Sequence, residues 1–224
     1  MNGHRYLAAH ERILELLGPL DDGLPIPATP GWSLLDLLAH LAAAAHDLAE
    51  VDVDLWSLDE WTAGQVAARR GRSRAEVLAE WAEHAPAAAR VVDDPAAVGL
   101  DEAFARMPII DATGHEGDIR EALGRPATID PADWAIIGPH REVMLGFLVA
   151  GAGLPPLRVR TPEGDDWVVG GTYPEASVEL GRDELWRSLM GRRSRAAVEG
   201  YAWTGDAEAY LAIWVGGTWS WPAD

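Results

Sequence analysis

The chain has 224 residues, 48% of them hydrophobic, enough to bury a substantial core as one large domain or two small ones. A net charge of -18 repels phosphate backbones and anionic lipid heads, which argues against nucleic-acid and membrane-surface partners. There is no cysteine, which excludes disulfides, thiolate metal ligands and a cysteine nucleophile, so any thiol chemistry must use a thiol brought from outside.

No run approaches the roughly 18 uninterrupted apolar residues of a membrane span. The opening stretch MNGHRYLAAHERILELLG carries charges where a signal peptide needs an apolar core, so a cytoplasmic location is expected. Segments near 1–18, 33–50, 73–91 and 108–124 place apolar residues at three- and four-residue spacing, separated by stretches rich in Pro, Gly and Asp. Four such helices predict a bundle. A fifth, 131–153, starts with proline in its first turn and ends in glycines, and Pro139 within it predicts a kink or break.

After GLPPL the period changes from helical to alternating. LRVRTPEGDDWVVGG alternates Leu157, Val159 and Thr161 around a Pro-Glu-Gly-Asp turn before Trp167 to Val169, which reads as a β-hairpin, and EASVEL is another short strand. GRDELWRSLMG reads as a helix closed by Gly191, and DAEAYLAIWVGG as a further helix. The expected organisation is a mainly α N-terminal domain, 1–153, followed by a small α+β domain, 154–224.

Chemistry concentrates on two of the predicted helices. In TPGWSLLDLLAHLAAAAHDL, Ser33 and Asp36 form a capping-box pattern, and His40 follows one turn later on the flank of the stripe Leu34, Leu37, Leu41 and Leu48. His40 can therefore point inward, as a hydrogen-bonded core histidine or as a metal ligand. In IIDATGHEGDIREALG, Asp111, His115 and Asp118 share one face beside Ala112, Ile119 and Leu123, while Thr113, Glu116 and Arg120 fall on the side expected to be solvated. A carboxylate facing a core is costly unless a cation or a donor satisfies it. Asp111 and His115 offer ligands one turn apart, and with His40 they give two imidazoles and one carboxylate, leaving a further position for water or substrate. Asp118 either orients a ligand or substrate or forms an ion pair with Arg120, Arg125 or another basic residue.

TPGWSLLDLLAHLA, DATGHEGDIREALGRP and DELWRSLMGRRSRAAVEGYAWTGD, in that order, resemble the mycothiol-dependent maleylpyruvate isomerase family. The resemblance implies a DinB-like metal-binding four-helix bundle followed by a small α+β domain similar to sterol carrier proteins. It implies a divalent metal, usually zinc, held at the positions of His40, Asp111 and His115, with mycothiol or a similar thiol as cosubstrate. The isomerase pattern has glutamate where this chain has Asp111, and the shorter side chain must bring its helix closer to the ion or act through water. The family also places an arginine of the C-terminal domain near the site, which here falls on Arg192 or Arg193. The implied reaction is thiol addition to an unsaturated or electrophilic small acid, ending in cis–trans isomerisation or S-transfer; a monomer or homodimer is the expected form of the chain.

Two other readings come from the residues themselves. One is a non-catalytic bundle that binds a small molecule or regulates; the other is metal-dependent hydrolysis with Asp118 as proton acceptor. His4, His10, His46, His84 and His140 read as surface or solvated groups, and most of the 11 tryptophans as core, with Trp32 packed at the start of its helix. RRGRSR reads as salt-bridged surface and GRRSR as either surface or an anion contact. No GxSxG elbow or phosphate-binding glycine loop is present.

Overall fold

The computed structural model describes residues 2–52 and 58–214, which are mainly helical with a small sheet in the C-terminal part. The chain forms two compact units, Met1–Pro126 and Ala127–Asp224.

The first unit contains α1 (Gly3–Leu17), α2 (Leu34–Glu50), α3 (Leu58–Arg69), α4 (Arg74–Asp93) and α5 (Met107–Ala122), with short 3-10 turns at Pro95–Val98 and Phe104–Arg106. Capping boxes start α2 and α4: Ser33 and Asp36 bond each other's backbone N–H reciprocally, and Ser73 and Glu76 do the same. Helix α1 packs on α4 and α5, and α2 packs on the same two from its own side, so these four helices enclose a common core. That core is made by Ile13, Leu34, Leu37, Leu38, Val77, Trp81, Ile109 and Ile110, all fully buried. Close approach of α1 to α4 requires glycine at its start: a Cβ on Gly3 would lie 2.2 Å from the Ala89 carbonyl oxygen. Helix α3, which shows no clear apolar stripe in the sequence, lies against α2.

The covering of α5 corrects one sequence expectation. Thr113 and Glu116, placed on the solvated side by the pattern, are both buried, because α1 packs against α5. Glu116 is satisfied there by Arg12 Nε at 2.7 Å and by Arg120 Nε and Nη2 at 2.9 and 2.7 Å. His10 on α1 also differs from expectation. It is buried, with its ring 4.3 Å from that of Trp81, and burial lowers its pKa.

The second unit contains α6 (Pro131–Gly151), β1 (Leu157–Arg160), β2 (Asp166–Val169), β3 (Ala176–Glu179), α7 (Arg182–Leu189), α8 (Arg195–Glu199), β4 (Ala202–Thr204) and α9 (Ala207–Trp214). The strand order is β2-β1-β3-β4; β1 pairs antiparallel with β2 and parallel with β3, and β4 runs antiparallel to β3. The predicted hairpin is β1–β2, with Arg160 opposite Asp166 beside the turn. The last predicted residues of the C-terminal helix, 215–217, lie outside the described residues.

Two expectations change in this unit. The division falls between Pro126 and Ala127, not after residue 153, because α6 packs on β2 and α9. A helical period says that one face is buried, but not against which partner. Of the kink or break expected at Pro139, the break is absent, since α6 runs from Pro131 to Gly151 with the proline inside it. Losing one donor and one carbonyl contact is tolerated where tertiary packing holds the flanking turns.

Candidate metal centre

His40 comes from α2, Asp111 and His115 from α5, and the contact between these helices brings one ligand atom of each within 4.8 Å of the others. His40 Nε2 lies 3.4 and 3.3 Å from Asp111 Oδ1 and Oδ2, and His115 Nε2 lies 3.4 Å from Asp111 Oδ1. Bonds of about 2.0–2.1 Å to a tetrahedral ion require ligand–ligand separations of roughly 3.3–3.4 Å. The short Asp111 side chain therefore reaches both imidazoles at separations of that size, and the group could hold a metal ion.

The far nitrogen of each ring is fixed. His40 Nδ1–H donates to Gln65 Oε1 at 2.8 Å, and Gln65 Nε2 donates to Asp47 Oδ2 at 2.7 Å. Because Asp47 can only accept, the amide must turn its oxygen toward His40, and the imidazole must carry its hydrogen on Nδ1. Asp47 also accepts from Trp61 Nε1 at 3.0 Å. On the other side, His115 Nδ1–H donates to Asp118 Oδ2 at 2.9 Å, with Asp118 fully buried. Both rings thus direct Nε2 at Asp111, an arrangement common around ligating histidines.

Electrostatics point the same way. Burial opposes charge on Asp111, but His40 and His115 outweigh it and hold the carboxyl well below the usual range. For His115, burial favours the neutral ring, yet Asp111 and Asp118 raise its pKa to about 9. In the chain alone a proton stabilises this pair, and a cation would compete with that proton for Nε2.

The centre is enclosed on one side and open on another. Both histidine side chains are 8% exposed, whereas Asp111 is 33% exposed, so approach from solvent is over the carboxylate. Trp32, half-buried in the loop before α2, stacks 6.3 Å from the His115 ring and sits 5.4 Å from His40. It also lines an open groove with Pro25, Ile26, Pro27, Pro30 and Asp36.

Asp118 bonds to His115 Nδ1, the nitrogen away from Asp111. Arg192 and Arg193 belong to the second unit. Arg193 is engaged by Glu184 through Nε and Nη2, both at 2.7 Å, while Arg192 is buried and its Nη1 donates to the Met190 carbonyl at 2.9 Å. Sequence reasoning missed Gln65 and Asp47. Asp47 left a signal, since it lies two turns from His40 on the same face of α2. Gln65 left none, because its link to His40 exists only through the packing of α3 on α2.

No family model matches the chain, and neither a curated protein nor a solved structure is significantly similar to it. Among the described residues, no helix is long and apolar enough to cross a membrane.

Proposed function

We propose that this chain is a divalent-metal enzyme that activates an external low-molecular-weight thiol, of the mycothiol type, against a small unsaturated or electrophilic acid. The observation that carries the reading is the convergence of His40 Nε2, His115 Nε2 and an Asp111 oxygen, each ring held from behind, with one side open to solvent. The resemblance of the sequence to the maleylpyruvate isomerases supports it, as does the contact pattern of α1, α2, α4 and α5, which suits a DinB-like bundle. Zinc is the metal that two imidazoles and one carboxylate favour.

A bound divalent ion would supply Lewis acidity, stabilising the thiolate of a coordinated thiol at neutral pH. The chain's own part is to present two imidazoles in one tautomer and to balance the cation's charge with Asp111 and Asp118. Trp32 provides an apolar wall beside the open side. The absence of cysteine suits a reaction whose nucleophile is delivered from outside. The thiolate adds to the alkene carbon β to a carbonyl, and the π electrons move to an enolate. Rotation about the resulting single bond and expulsion of the thiolate give the trans isomer and return the thiol unchanged. If the addition is trapped by a proton instead, the product is the thioether. The resemblance implies an arginine of the C-terminal domain, Arg192 or Arg193, as the group that would hold the acid's carboxylate.

Metal analysis of the purified chain together with turnover of maleylpyruvate or a related unsaturated acid in the presence of mycothiol tests the reading. Expected are about one zinc per chain, its loss in His40→Ala and His115→Ala, and thiol-dependent turnover that disappears with it. Zinc uptake unaltered by both substitutions refutes the site. Metal binding without turnover for any small thiol refutes the reaction and favours a ligand-binding role.

A further inference from the structure

Helix α6 is apolar on both of its faces, and the described residues cover one of them. Trp134, Ile137, Leu145 and Val149 are buried, and α6 packs on β2 and α9. At about 100° per residue, the opposite face gathers Ile136, Pro139, Phe147 and Ala150 within roughly 40° of Val143. Phe147 is 69% exposed and Val143 57%, exceeded among the large apolar side chains of the described residues by Tyr173 at 85%. The turn that carries Tyr173 reaches the same helix: at Gly170, three residues earlier, φ is positive and a Cβ would lie 2.3 Å from Val149 Cγ1. The ionisable groups of α6 avoid the stripe. Asp133 is fully buried, Arg141 lies on the opposite side over the Trp186 ring, and His140 and Glu142 border the stripe.

The outer face of a surface helix is ordinarily polar, and a helix that is apolar all round is ordinarily covered all round. We propose that this face of α6 joins two copies of the chain in a symmetric dimer, the two helices running antiparallel and meeting at Val143. The register fits a like partner. With Val143 on the two-fold axis, a position four or seven residues before it meets the position four or seven residues after it on the other copy. Pro139 then faces Phe147 and Ile136 faces Ala150, a smaller side chain opposite a larger one each time, as interdigitating surfaces require. Charge agrees. Two copies at -18 each repel, so they can meet closely only over a surface without acids, and the stripe is one. A basic partner or an anionic lipid surface would find no matching charge there. The helix has 21 residues and is therefore about 30 Å long. Covering such a strip and the adjoining turn on both copies removes on the order of 1,000 Å², the lower end of specific interfaces, so the dimer is reversible.

Sedimentation velocity of the full chain from about 1 μM to about 1 mM tests this. A monomer–dimer equilibrium with a micromolar midpoint is expected, tightening as salt is raised because the repulsion between copies is screened. Val143→Glu and Phe147→Glu should each weaken it by about tenfold or more, with wild-type circular dichroism and zinc uptake. Because the chain has no cysteine, Val143→Cys introduces a single thiol, and its oxidation should give a disulfide-linked dimer. Val168→Cys, on the exposed side of β2, should not cross-link. A chain that stays monomeric over the whole range overturns the proposal. So does a dimer that both glutamate variants leave intact, or, should those variants fail to fold, one that Val143→Cys does not cross-link. An association that weakens with salt rests on attraction between unlike charges and overturns it as well. Zinc uptake is read separately: its absence refutes the metal site and leaves the expected dimer unchanged.

Discussion

Gln65 and Asp118 fix the metal-facing nitrogens without touching the proposed ion. Each accepts the Nδ1–H of one imidazole, at 2.8 and 2.9 Å, and so decides which nitrogen keeps its lone pair. Replacing such supporting partners around a metal commonly costs about 10- to 100-fold in affinity. Gln65→Ala and Asp118→Asn are therefore expected to weaken zinc binding by that range in competition with a chromophoric chelator. Asp118→Asn should bring the larger loss, because it removes a fully buried charge that also balances the cation. Unchanged zinc affinity in both variants would mean that the rings are oriented by packing alone. The same geometry limits Asp118 as a proton acceptor in hydrolysis, since it lies behind His115 and not over the open side.

Among the elements, the β1–β2 hairpin shows how one side chain joins several. Asp165, in the hairpin turn, accepts from Trp134 Nε1 of α6 at 3.0 Å, Thr161 Oγ1 at 2.6 Å and Arg182 Nε of α7 at 3.0 Å. Trp134 also stacks on Trp167 of β2, with ring centres 5.8 Å apart. Burial raises the Asp165 pKa, but the bonds from Arg182, Thr161 and Trp134 outweigh it and hold it below the usual value. A folded-state pKa below the unfolded one gives stability that is present above about pH 4 and is lost as pH falls through the folded value. Asp165→Asn is expected to cost about 1–3 kcal/mol at neutral pH, with the difference from wild type shrinking toward pH 3. Urea denaturation at both pH values checks this; a difference that does not change with pH would rule out the charge as its source.

For the whole molecule, two compact units mean that a ligand of one need not affect the other. The metal group draws on α2 and α5, and its support on α3, all in the first unit. Zinc is therefore expected to slow amide hydrogen exchange in α2, α3 and α5 and to leave β1 and β3 unchanged. Binding at 100 times the dissociation constant would stabilise the metal-holding state by roughly 2.7 kcal/mol. Protection spread equally over the strands would show that both units respond to the ion as one.

Much was legible in the sequence because it depends on neighbours along the chain. The helices holding His40, Asp111 and His115 follow from apolar period, with a capping box at the start of α2, and the β1–β2 hairpin from alternation around a turn. The candidate triad was readable as two histidines and an acid on inward faces, although the distances between them were not. Which helix covers which face is a matter between distant segments, and there the sequence was silent. Burial of Glu116 and His10, the allegiance of α6 to the second unit and the grip of Gln65 on His40 were decided only by tertiary packing. The physical reason is that a periodic pattern encodes a buried face, whereas the identity of the surface that buries it is set by how all the elements fill space together.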